Sequence, residues 1–83
     1  MSNYLFANDK LYTLSLHAEE EMAADNLTNE DVIDVLENAD ALELSRSTGA
    51  NIYRKQLGQR VIAVIVDDEH DVIVTAYVVA VPR

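Results

Sequence analysis

The stretch "LSLHAEEEM", residues 14–22, places His17 directly ahead of Glu19, Glu20 and Glu21, and His17 is one of only two histidines in this 83-residue chain. A histidine titrates near neutral pH and can give or take a proton during chemistry on a phosphate ester. Three neighbouring carboxylates would repel that same phosphate. The ordinary role for such a residue is a helix-start histidine bonded to a carboxylate. At the second helical position the dipole opposes a positive charge, while Glu20 and Glu21, three and four residues on, favour one, so the residues alone leave its charge open. His70, in "DDEHD", reads as a solvated turn residue. Pairing His17 with Glu21, or His70 with its acidic neighbours, matches no known metal-ligand spacing. The chain has no cysteine, which removes thiolate metal sites and disulfides, and neither metal nor cofactor is expected.

Charge narrows the chemistry further. The net charge is −9, and residues 1–45 hold eleven acids against one base, Lys10, while residues 46–83 hold four acids against five bases. Binding to nucleic acid rewards bases that displace counterions from phosphates, so RNA is disfavoured as a partner of the acidic half. That half reads as a solvated face that keeps the protein soluble. Arg54 and Lys55 are adjacent on a strand pattern, so they point to opposite faces and cannot line one site. A salt bridge from Arg54 to the acidic helices is the expected use of its charge.

The elements that would hold these residues follow from periodicity. Residues 1–83 make a single domain with a thin core, in a composition that is 49% hydrophobic and 25% charged. "LYTLSL" alternates, with Tyr12, Leu14 and Leu16 on one face, and reads as a short extended segment. Ser15 is a suitable N-cap for a helix from Leu16 that buries Ala18 and Met22 and stops near Asp25, with Asn26 taking the left-handed position after it. Thr28 caps a second helix, with Asp31 at its third position and Val32, Ile33, Leu36 and Ala39 as the buried stripe. After Asp40 the period becomes strand-like. "ALELS" predicts an edge strand with Leu42 and Leu44 on one face, "STGAN" a loop, and "IYRKQL", "RVIAVIV" and "DVIVTAYVVAV" three further strands. The connections "LGQ" and "DDEHD" are short enough for hairpins, so these strands should pair antiparallel. The expected fold is α+β, with two N-terminal helices packed on a three- to four-stranded antiparallel sheet and a core containing Ile62, Val64, Ile73, Val32 and Leu36. Tyr53 and Tyr77 fit core or edge positions equally.

The longest apolar run, "VIVTAYVVAV", is β-branched and too short for a membrane helix, and "MSNYLFANDK" lacks a signal-peptide pattern. A cytoplasmic location without membrane association is expected.

Taken in order, "SLHAEEEM", "LTNEDVIDVLENAD", "IYRKQLGQRVIAVIV" and "VIVTAY" resemble the family of domain of unknown function 4258, from about Leu14 to Tyr77. The family's pattern is Ser-x-His-Ala-x-x-Arg-Met, a capped helix, a Tyr/Arg-rich strand and a final Val-Ile-Thr-x-Tyr strand. That family is similar to the wider group containing barnase, colicin nuclease domains and RelE-type toxins. The resemblance implies a RelE-like fold, a metal-independent endoribonuclease site, and an antitoxin-like protein as partner. Carried over by position, His17 would be the acid or base, Arg60 or Arg54 the clamp for phosphorane charge, and Tyr77 a proton donor. Thr75 completes the Thr-x-Tyr pair, and Ser15 matches the family's serine beside the substrate.

Two positions depart from the pattern. The arginine before the family's methionine is Glu21 here, and a second arginine between the helices corresponds to Asp25. Each change turns a phosphate-binding cation into an anion, so the resemblance implies a weakened site. The alternative is a non-enzymatic acidic module that binds a basic protein, mimics nucleic acid, or pairs through an exposed sheet edge, a second copy of the chain included.

Overall fold

The computed structural model describes residues 3–45 and 49–80. The order of elements is β1 (Asn3–Ala7), β2 (Lys10–Leu14), α1 (Leu16–Ala24), α2 (Asn29–Asn38), β3 (Ala41–Leu44), β4 (Asn51–Leu57), β5 (Arg60–Asp67) and β6 (Val72–Ala80). The α+β class is as expected, but the sheet is six-stranded and mixed, in the order β1-β2-β6-β5-β4-β3. Two strands precede the helices. The hairpin β1–β2 closes through Asn8 and Asp9, whose φ values of 54° and 62° give the doubly left-handed two-residue turn that matches strand twist. No glycine marks that turn, so its sequence signal is faint. β2 then pairs parallel with β6 through Thr13↔Val72 and Leu14↔Ile73, a contact between distant segments that no local pattern encodes.

Both helices lie on one side of the sheet. Alternation, with one extra residue in β6 between Ile73 and Thr75, sends Leu5, Tyr12, Leu14, Ile62, Val64, Val66, Ile73 and Ala76 to that side, where they meet Ala18, Met22, Leu27, Val32, Val35 and Leu36 in one core. All five core residues expected from the sequence are buried. The second helix differs in one detail: Val35 is fully buried, while Ile33 is half-buried. Its capping box is complete, with Thr28 Oγ1 accepting from the Asp31 N–H at 3.1 Å and Asp31 accepting from the Thr28 N–H at 3.0 Å.

α1 has a particular position. β2 covers only the start of β6, and α1 runs along the half of β6 that β2 leaves unpaired. Ser15 Oγ caps the helix by accepting from the Ala18 N–H at 3.0 Å and donates to the Val74 carbonyl at 2.7 Å. At the other end, the Asp25 carboxylate accepts the Val78 N–H at 2.8 Å. Asn26, at φ 55°, lets the chain leave through a pair of reversed bonds, Leu27 N–H to Met22 O at 2.8 Å and Asn26 N–H to Ala23 O at 3.4 Å. Leu27 and Met22 are both buried, which supplies the apolar contact that goes with this type of helix end. The helix therefore seals a strand edge that would otherwise show free backbone groups.

Candidate functional site

The two faces of the sheet divide the candidate residues. On β5, Arg60 shares the helix-side alternation of Ile62 and Val64, and its guanidinium reaches Asp31 Oδ2 and the Asn26 carbonyl, both at 3.3 Å. On β6, Tyr77 pairs with Ala63 and Thr75 with Ile65, so both point to the uncovered face. Arg54 also pairs with Ala63 and reaches the uncovered face from the other side. Ala63, between Arg54 and Tyr77 in the sheet, is fully buried. The structure thus brings Arg54, Thr75 and Tyr77 to one face and places Arg60 on the other. The His17 imidazole is exposed at the second position of α1 and makes no hydrogen bond or ion pair with the side chain of any described residue, Glu20 and Glu21 included. Ser15 has its donor and an acceptor position committed to Val74 and Ala18.

The cations are spoken for. Lys10 pairs with Asp71 at 2.8 Å, Lys55 with Asp34 at 3.0 Å, Arg60 with Asp31 at 3.3 Å, and Arg54 with Glu43. These are the four bases among the described residues; Arg46 and Arg83 lie outside them. The expected bridge from Arg54 to the helices is corrected: it pairs with Glu43 on β3, and Lys55, facing the other way, reaches α2 instead. The Lys55 ammonium and the Asn38 amide hold the Asp34 carboxyl below the usual carboxylate range. Many helix acids also have structural duties. Asp25 holds β6, Glu19 accepts from Asn3, and Glu37 accepts from the Asn8 N–H at 3.3 Å. At Asp25, where the resemblance puts an arginine, the carboxylate serves as the acceptor of the Val78 N–H.

A second polar group gathers at the β5–β6 turn. Lys10 Nζ lies 2.8 Å from Asp71, 3.6 Å from Asp68, and 4.9 Å from the centre of the Tyr12 ring. Hydrogen bonding to Asp71 raises the Lys10 ammonium well above the ordinary lysine range. The Tyr53 hydroxyl donates to Asp68 at 3.1 Å, and burial together with that carboxylate pushes its phenol up to about 12. Asn51 also donates to Asp68. His70 is exposed, and its Nδ1 lies 2.8 Å from Asp67 Oδ2, a contact that raises the imidazole above its usual range and lowers the Asp67 carboxyl. Asp67, Glu69 and His70 together place three ligand-type atoms within 4.8 Å of one another on this exposed turn. Nothing in the sequence spacing flagged Lys10 or Tyr53, because their partners come from distant strands.

The family model of the domain of unknown function DUF4258 matches residues 14–78. The chain belongs to that family. No curated protein and no solved structure matches it. The hairpin is set apart within this DUF4258 protein: β1 and all of β2 except Leu14 lie ahead of the matched span.

The uncovered sheet face of the DUF4258 chain is apolar over much of its extent. Tyr4, Phe6, Leu11 and Val74 are 55%, 63%, 56% and 40% exposed. Their alternation opposite Leu5, Tyr12 and Ile73 puts them on the face away from the helices. A groove of about 350 Å³ continues it, lined by Ser45, Ala50, Ile52, Ile65, Asp67 and Val74. Among the described residues no helix is long and apolar enough to cross a membrane.

Proposed function

We propose that this DUF4258 domain is a protein-binding module that works through its uncovered sheet face and the adjoining strand edge, and that it does not cleave RNA. One observation carries the reading: every described lysine and arginine is already held against a carboxylate of its own chain. Metal-free RNA cleavage requires a proton acceptor, a proton donor and a cation for the developing charge on phosphorus. Freeing Arg54 or Arg60 for phosphate would leave Glu43 or Asp31 facing that phosphate. The division of Arg60 from Thr75 and Tyr77 between the two faces further supports the binding reading, as do the exposed rings of Tyr4 and Phe6.

The second reading is a toxin-like ribonuclease of the RelE group with a weakened site, held by an antitoxin-like partner. The row Arg54–Ala63–Tyr77 favours it, since it sets a guanidinium and a phenol on one face with Thr75 nearby. Incubation of wild type, His17→Ala and Tyr77→Phe with mixed-sequence single-stranded RNA at low salt separates the two. No cleavage above background by any of the three is the expected result. Cleavage by wild type that falls at least tenfold in both variants would overturn the binding reading and restore the enzyme.

A further inference from the structure

The sheet has two outer strands, β1 and β3, and they are guarded differently. Outer strands are templates for pairing unless charge, proline or a bulge blunts them. On β3 the Ser45 N–H bonds the Ala50 carbonyl at 2.8 Å, so alternation turns the free backbone groups of Leu42 and Leu44 outward. Pairing two β3 strands through those groups would set Glu43 directly opposite Glu43 of the other copy, and like charges directly opposite oppose pairing. β1, Asn3–Ala7, has the sequence NYLFA, with no charge and no proline, and its register with β2 is regular throughout.

We infer that β1 is a self-association edge, and that two copies of this chain pair antiparallel through it to form one continuous sheet. The register follows from the hairpin. The two-residue turn makes Ala7↔Lys10 a hydrogen-bonded pair, and alternation makes Leu5↔Tyr12 and Asn3↔Leu14 the next two. The N–H and C=O groups of Tyr4 and Phe6 therefore point away from β2. A two-fold axis at Leu5 joins these free groups, so that Tyr4 of each copy pairs with Phe6 of the other. Both side chains already lie on the uncovered face, 55% and 63% exposed, so each pair brings two rings directly opposite one another. Aromatic pairs of this kind strengthen sheet pairing.

Charge limits where a second copy can dock. Each copy carries −9, so two copies can approach only where carboxylates are absent. On the uncovered face β1, Leu11 and Thr13 provide such a place; on the helix side Glu19 and Glu37 reach Asn3 and Asn8, and their repulsion between copies is what salt must screen. The exposed parts of Tyr4, Phe6 and Leu11 come to about 300 Å² of apolar surface, on the scale of patches that mark interaction sites. With the strand edge added, the contact is at the small end of specific interfaces, the range of weak and transient association. Screening of the mutual repulsion should make the dimer tighter as salt is added.

The inference names the partner for the binding reading above and rests on it. Sedimentation equilibrium of the whole chain, at low and at high salt, provides the test. Expected are a monomer–dimer equilibrium that strengthens with salt, a dissociation constant raised at least tenfold in Phe6→Lys and in Tyr4→Lys, and no change in Leu42→Lys. Circular dichroism should show all three variants folded, since each substituted side chain is exposed. In a mixture of differently labelled copies, a nuclear Overhauser contact between Tyr4 of one and Phe6 of the other should confirm the register. A monomer at about 1 mM in high salt would overturn the inference, and so would a dimer that survives both β1 variants and dissolves in Leu42→Lys. A monomer that leaves RNA intact refutes the dimer alone, whereas a β1 dimer that cleaves RNA refutes the binding reading and leaves the dimer standing.

Discussion

Removing the Asp25 carboxylate should release the distal half of β6. Two effects oppose one another at this position. The carboxylate accepts the Val78 N–H at 2.8 Å, and a hydrogen bond to a charged group contributes about 1.5–3 kcal/mol. Asp25 also ends α1, where a negative charge sits against the negative end of the dipole at a cost of about 0.3–1 kcal/mol. The bond is the larger of the two, so Asp25→Ala should lose about 1–2 kcal/mol. For a domain of this size that lowers the melting temperature by roughly 5–15 °C. Asp25→Asn keeps a carbonyl acceptor and removes the dipole conflict, so it should melt close to the parent. Asp25→Arg has no acceptor and should be no more stable than Asp25→Ala, so it cannot serve as a clean restoration of a phosphate-binding arginine. Thermal melts, with amide exchange at Val78 as the local readout, give the comparison. If Asp25→Ala melted with the parent and the Val78 amide kept its protection, the account of α1 as the seal on β6 would be wrong.

Truncation of Leu36 or Val64 to alanine should cost about 2–4 kcal/mol by chemical denaturation, because both are buried where helix and sheet meet. The His70 imidazole should titrate above its ordinary value by NMR, and Asp67→Asn should bring it back down. The stabilisation from His70 is full below about pH 6.5 and is lost as pH rises through its raised folded pKa; that from Asp67 is full above about pH 4 and is lost as pH falls through its lowered one. The Tyr53 phenol should ionise at about 12 by ultraviolet titration. Because its folded pKa is raised, stability should decline between about pH 10 and that point, and the decline should be smaller in Tyr53→Phe. Glu21→Arg, which leaves the Asp25 bond untouched, should raise RNA affinity only slightly, and the gain should vanish with added salt.

Local chemistry determined a large part of this protein. The capping residues Ser15 and Thr28, the left-handed Asn26, Val32 and Leu36 of the buried stripe of α2, the alternation of β4 and the β-branched apolar runs of β5 and β6 depend on neighbours within a few residues. They were legible in the chain for that reason, as were the opposite directions of Arg54 and Lys55. Family membership was legible as well, since four short motifs occur in order between Leu14 and Tyr77. What required the tertiary structure was everything joining distant segments. The parallel pairing of β2 with β6 has no local period, and β1 became an edge strand only because that pairing put its hairpin at the end of the sheet. The same step fixed the meaning of the charges. In the sequence Glu21 and Asp25 look like a lost phosphate site; in the fold Asp25 holds β6, and farther along the chain Asp31 holds Arg60, Asp34 holds Lys55, and Asp71 holds Lys10. A charge is written locally, but its partner is chosen by whichever strand or helix the fold brings within about 3 Å of it.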